Sequence, residues 1–200
     1  MFGEGVALLA GDGLLTEALH LMSGPDVTRR VPAELSHAVG VAGLVGGQAL
    51  DLEAKNDTDV DLAAVEWIHV RKTGALILAS IRAGARWPRG GEPTDLGRIT
   101  RYGERLGLAF RITDGILDAL GQTAAGEGAE SVRNERKKAT YPSVIGIPQA
   151  KETPKELLQV SLDELATYGA QAIALKAIAR HIVARVIHGD GKTVGEEIND

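Results

Sequence analysis

Cysteine is absent from the 200 residues, which excludes a disulfide framework and any thiolate metal or redox chemistry. That absence fits a reducing compartment, and a cytoplasmic location is the expectation. Aromatic residues make up only 4%, so the apolar 44% must build its core from Leu, Ile, Val and Ala. Basic excess is missing too. The net charge of −5 speaks against a general nucleic-acid binder, which usually shows a basic face. No strand-like alternation of Val, Ile and Thr stands out, and no heptad or longer repeat recurs. The apolar start, "MFGEGVALLAGDGLLTEALHLMSG", lacks the basic segment of a secretory signal. Glu4, Asp12 and Glu17 interrupt it, so no membrane span is expected there. It reads as a buried amphipathic helix.

What the chain does have is helical periodicity. In "VPAELSHAVGVAGLVGGQALDL", from Val31, apolar residues recur at spacings of three and four, which predicts one helix. "DVDLAAVEWIHVRKTGALILASIRAGA" opens on Asp59 and Asp61, acids suited to a helix N-terminus. "EPTDLGRITRYGERLGLAFRITDGILDALG" offers Thr94 or Asp95 as a cap and Gly121 as a stop. Residues 121–138, rich in Gly, Ala and charge, read as a loop. Pro142, Pro148 and Pro154 then turn the chain into further helices, the last of them "QAIALKAIARHIVARVIHG". The fold class is all-α, with one domain over 1–188 and a polar tail over 189–200. Twenty-five glycines, many inside helices, call for close helix–helix approach or for backbone lining a ligand cavity.

Several polar residues sit where helical spacing would gather them. Gln48 and Asp51 lie one turn apart, Lys72 and Thr73 fall in mid-helix, and Asp114 and Asp118 are four apart in "RITDGILDAL". Lys138 follows the loop. Carboxylates facing lysines across a bundle could hold Mg²⁺ against a diphosphate, since Mg²⁺ takes one or two carboxylates plus phosphate oxygens. The plainer alternative is that each residue is a surface charge or a helix-pair partner. "GEGAES" does not satisfy the dinucleotide glycine pattern, "RNERKK" reads as a solvated loop, and the five histidines show no metal-ligand spacing. Most of those histidines are expected at the surface or packed.

Taken together, "AGDGLLTEAL", "VGVAGLVGGQALDL", "EWIHVRKTGALI", "LGLAFRITDGILDALG" and "KATYPSVIG" resemble, in order and spacing, the trans-isoprenyl diphosphate synthases. The resemblance implies an isoprenoid-synthase-type helical bundle around a deep cavity, acting on isoprenyl diphosphates. It implies Mg²⁺ held by two aspartate-rich motifs, and head-to-tail transfer from an allylic diphosphate to isopentenyl diphosphate. It implies a homodimer, or a heteromer with another prenyl synthase. By position it assigns Lys72, Thr73 and Lys138 to diphosphate binding, Asp114 and Asp118 to the metal, and Gln48 and Asp51 to support; Arg111 joins the diphosphate candidates through its own guanidinium.

The chain also departs from that family. Its second motif reads DGILD where the family has DDxxD, so Gly115 stands in place of a carboxylate, and Arg111 stands in place of a glutamine. Gly128, Val132 and Arg133 occupy loop positions where lysines and an acid are expected. The first aspartate-rich motif would lie upstream of Met1, so the bundle is expected to be N-terminally truncated. Arg111 is expected to pair with Asp114, with phosphate contact as the alternative. These departures imply a degenerate family member with little activity alone. The other readings are a prenyltransferase completed by a partner chain or an upstream start, and a non-catalytic interaction subunit.

Overall fold

A 27-residue helix forms the axis of the bundle. The computed structural model describes residues 3–24, 29–54, 60–86, 93–121 and 140–187, and among them no strand occurs. In chain order the helices are α1 (Glu4–Met22), α2 (Arg30–Val39), α3 (Leu44–Ala54), α4 (Leu62–His69), α5 (Ala75–Arg86) and α6 (Pro93–Ala119). They are followed by α7 (Tyr141–Ile145), α8 (Ile147–Glu164) and α9 (Ile173–Ile187). A π-helical turn, Val70–Gly74, joins α4 to α5, and a 3₁₀ segment, Ala166–Ala172, leads into α9.

Helix α6 buries Ile99, Tyr102, Leu106 and Ala109 against Leu165, Ala179 and Val183, a cluster built with α8 and α9. Further along the same helix, Ile112, Ile116 and Leu117 meet Val65, Tyr141 and Val186. The three-and-four spacing of these positions turns one face of α6 into a continuous apolar stripe. Each large side chain so buried contributes roughly 1.5–3 kcal/mol. Tyr102 donates a hydrogen bond from its hydroxyl to the Leu175 carbonyl at 2.7 Å, which satisfies the one polar atom taken into that cluster.

Ion pairs fix the outer helices. Glu34 of α2 accepts from Arg82 of α5 at 3.0 Å and from Arg86 as well. Partial burial pushes the Glu34 carboxyl up, but the two guanidinium groups outweigh it and hold its pKa below the usual value. Glu164 accepts from Arg101 at 2.7 Å and Arg105 at 3.3 Å, tying the end of α8 to α6.

Four expectations need correction. Helix α1 is neither buried nor amphipathic: none of its residues is buried, and Leu8, Leu9, Leu14 and Leu21 are each about two-thirds exposed or more. Its only substantial neighbour among the described residues is α2, so nothing covers its apolar surface. By length and composition alone it could cross a membrane. The segment from Val31 is two helices, broken at Gly40, whose extended ψ of −162° ends the α2 ladder. Thr94 and Asp95 fall inside the first turn of α6, which starts at Pro93; Asp61, by contrast, caps α4, accepting from Ala64 N at 2.8 Å. Pro148 and Pro154 lie within α8, Pro148 in its first turn, where a missing N–H costs nothing. The residues read as a loop (121–138) and as a tail (189–200) lie outside the described residues, except for Gly121. That glycine takes φ 70° just past the end of α6, as a helix stop requires.

Close approach explains two of the glycines. A Cβ on Gly47 would sit 2.3 Å from the Lys72 backbone nitrogen, and one on Gly107 would sit 2.8 Å from Gly74 Cα. Helix α3 and helix α6 therefore clamp the π turn from two sides, backbone to backbone. Gly47→Ala should cost about 1–3 kcal/mol as overpacking, read as a lower denaturation midpoint at unchanged slope. An unchanged midpoint would show that α3 and the turn are not held this closely.

Candidate functional site

The clamped π turn carries Lys72 and Thr73. Such single-turn irregularities re-aim side chains and are frequent at functional sites. Lys72 is partly exposed, and its Nζ donates at 2.7 Å to Oδ2 of Asp51, which is buried on α3. The other oxygen of Asp51, Oδ1, has no partner. Gln48 is partly buried on the preceding turn of α3, and Thr73 is partly buried beside Lys72.

From the opposite side, α6 supplies Arg111, Asp114 and Asp118. Arg111 is buried, and its Nη1 donates to Asp114 Oδ2 at 2.6 Å across the i, i+3 spacing. The Asp114 side chain remains about one-third exposed, while the Arg111 Nε is enclosed without a partner. Gly115 is buried against Thr140 and Pro142 at the start of α7. Asp118 follows one turn on and is partly exposed. Lys138 lies outside the described residues.

His69, which ends α4, sits between the two pairs. Its ring is 1% exposed, stacks on Tyr141 with centroids 6.0 Å apart, and has no partner at either nitrogen. Tyr141 in turn donates its hydroxyl to Glu66, and burial together with that carboxylate pushes its pKa up. Thr140 caps α7 in a reciprocal box with Ser143, which fixes where Tyr141 stands. The sequence placed His69 only among histidines at the surface or packed. The Glu66–Tyr141 bond spans 75 positions, and no local spacing signals it.

An apolar cavity of about 860 Å³ opens between α2, the π turn, α5 and α6, and no residue of the polar cluster lines it. Ala38, Gly43, Gly74, Leu78, Ala79 and Leu108 line it, with Glu34, Arg71, Arg82 and Arg105 around them. Leu108 is one turn before Arg111 on α6, and Gly74 follows Thr73, so lining and cluster residues are neighbours in sequence along two elements. Trp67, half-exposed, also lines the cavity and carries the Arg71 guanidinium over its ring at 4.0 Å.

Whether these residues suit Mg²⁺ is decided by their oxygens. The ion needs several oxygen ligands in octahedral array. Asp114 already accepts from a guanidinium, Gly115 offers no oxygen, and Asp118 one turn on adds a single carboxylate. Among the described residues no three His, Asp or Glu side chains come together as a metal site. Without phosphate oxygens to complete the shell, the described residues do not fit the ion.

Burial pushes His69 down to about 3 from 6.5, with Arg111 and Lys72 adding to the effect and Asp51 opposing it. The unfolded chain therefore takes up a proton near pH 6.5 that the folded chain refuses until about pH 3. This contribution to stability is complete above pH 6.5 and is lost as pH falls toward 3, by roughly 1.4 kcal/mol per pH unit. His69→Phe should show a shallower fall of Tm than the parent between about pH 7 and pH 4.5. Parallel profiles would mean that His69 is protonated in the folded chain.

The family model for polyprenyl synthetase matches residues 1–177. A dimethylallyltranstransferase of Fischerella ambigua (strain UTEX 1903) is 40% identical over 192 residues, covering 92% of this chain and 55% of the relative. The farnesyl diphosphate synthase of Escherichia coli (strain K12) is 40% identical over 194 residues, covering 92% of this chain and 64% of the relative. Among solved structures, an FPP/GFPP synthase from Zymomonas mobilis superposes with a TM-score of 0.74 at 33% identity, covering 90% of this chain and 62% of that one. A geranyltransferase from Legionella pneumophila gives 0.76 at 26%, covering 92% and 61%. The chain thus spans a little over half to about two-thirds of the length of these relatives. With the shared all-helical architecture and the match along nearly its whole length, this chain belongs to the polyprenyl synthetase family.

Proposed function

We propose that the chain binds isoprenyl diphosphates and carries out little or no prenyl transfer by itself. The observation behind this reading is the 860 Å³ apolar cavity, whose lining residues Gly74 and Leu108 stand two positions after Lys72 and three before Arg111 in the chain. An isoprenyl diphosphate has that same division: a hydrocarbon tail and an anionic head. Lysine and arginine are the side chains that meet phosphate oxygens, Lys72 as a point charge and Arg111 as a fork. Thr73 stands next to the head position. Asp51 holds Lys72 in place from its buried side, with Gln48 on the turn before it, and Lys138 is assigned to the head by resemblance.

Transfer needs more than binding. Charge develops on the departing diphosphate, and preorganised countercharge at that point is usually the largest catalytic term. Here the two cations are each already matched by a carboxylate, and the cluster has little countercharge left over. Purified chain supplied with isopentenyl diphosphate, dimethylallyl or geranyl diphosphate and Mg²⁺ should yield no prenylated product above background. The same sample should show a small rise of Tm with geranyl diphosphate, since a ligand that binds the folded state stabilises it. Product formation by the chain alone would overturn the inactive half of the reading, and an unmoved Tm the binding half.

A second reading, association with a partner subunit or a second copy, rests on α1. Its exposed Leu8, Leu9, Leu14 and Leu15 form an apolar surface that a lone soluble chain rarely leaves bare. Light scattering after size exclusion should give a mass above that of one chain. Leu8→Asp with Leu15→Asp should return the mass to a single chain without loss of helicity. A monomeric parent at micromolar concentration would remove this reading.

A further inference from the structure

Resting on the reading that the cluster is a diphosphate-binding site, the geometry points to Arg111 as a built-in counter-ion that takes the place of a divalent metal at Asp114. Three observations carry it. The guanidinium lies 2.6 Å from Asp114 Oδ2, in the range of a strong charge-assisted hydrogen bond, and the Arg111 side chain is only 8% exposed. The guanidinium fork is a resident countercharge for that carboxylate. Position 115, the next residue, carries no side chain at all.

A metal ion arriving at Asp114 would have to displace this guanidinium within a buried site, where its Nε already lacks a partner. Arg111 already encloses one unpartnered nitrogen, Nε, and losing Asp114 would orphan a second donor. Leaving a buried charge unpaired is strongly unfavourable. The metal would also find no carboxylate at position 115, the residue next to Asp114, with only Asp118 a turn away. Exclusion therefore has two parts, a resident cation and a missing ligand, and the cation is the larger of them.

Both parts are reversible by substitution. Arg111→Gln removes the charge and keeps a polar side chain. Gly115→Asp adds the carboxylate, and its Cβ fits at 3.5 Å from Thr140 Cβ and 3.7 Å from Pro142 Cδ, ordinary contact distances. The probe is Mn²⁺ alone, read by the loss of free-ion paramagnetic resonance signal, with no prenyl ligand present. This result is thus independent of whether the chain binds isoprenyl diphosphates. The Arg111→Gln, Gly115→Asp double variant should bind Mn²⁺ at least about tenfold tighter than the parent, and Gly115→Asp alone should gain far less than the pair. Circular dichroism and Tm establish that each variant is folded, and Asp114→Asn in the double variant should abolish the gain. Parent binding as tight as that of the double variant overturns the inference, as does a folded double variant without gain. An equal gain from Gly115→Asp alone overturns the role given to Arg111.

Discussion

The backbone crossing at Gly74 and Gly107 is the constraint on which the rest of the site depends. With no Cβ at position 107, α6 approaches the π turn until the two chains touch, and Gly47 lets α3 do the same from the other side. Lys72 and Thr73 are thereby held between α3 and α6. Asp51 comes within reach of Lys72, while α6 runs on for one further turn to Arg111 and a second to Asp114. A side chain at either glycine would separate these elements before it disturbed any of the charges. The chemistry of the cluster thus follows from two positions that carry no chemistry themselves.

Charge balance decides what the assembled cluster can do. Beside Asp118, two cations and two carboxylates are joined as two pairs, one in which the acid is buried and one in which the base is. His69 lies between them as a neutral ring, kept so by burial and by Arg111. Such a cluster is well suited to persist in a folded chain, because every full charge has a partner. It is poorly suited to gather divalent ions, because the partners are internal. The apolar stripe of α6 builds the bundle shared with the relatives, while its polar face carries the Arg111–Asp114 pair.

Much of this was legible in the sequence where the cause is local. The three-and-four spacing along α6 gave the all-helical class and one core face, Asp61 and Gly121 marked helix ends, and the i, i+3 spacing of Arg111 and Asp114 put them on one face. What failed is set by contacts far along the chain. Helix α1 has the composition of a buried element, but burial depends on what packs against it, and among the described residues little does. The break after Val39 hides in a pattern that stays periodic through Gly40 and Gly43, and Pro154 sits inside a helix that tertiary packing keeps intact. His69 gave no signal because its environment comes from α3, α6 and α7 together.

The central claim is that Arg111 and Asp114 act as one unit, and a double-mutant cycle measures that directly. Stability would be determined for the parent, Arg111→Gln, Asp114→Asn and the two combined, by chemical denaturation at neutral pH. A coupled pair predicts an interaction energy of about 1 kcal/mol or more, with the double variant less destabilised than the two single losses added together. Additivity to within about 0.3 kcal/mol would contradict the account, because the guanidinium would then be no counter-ion to Asp114.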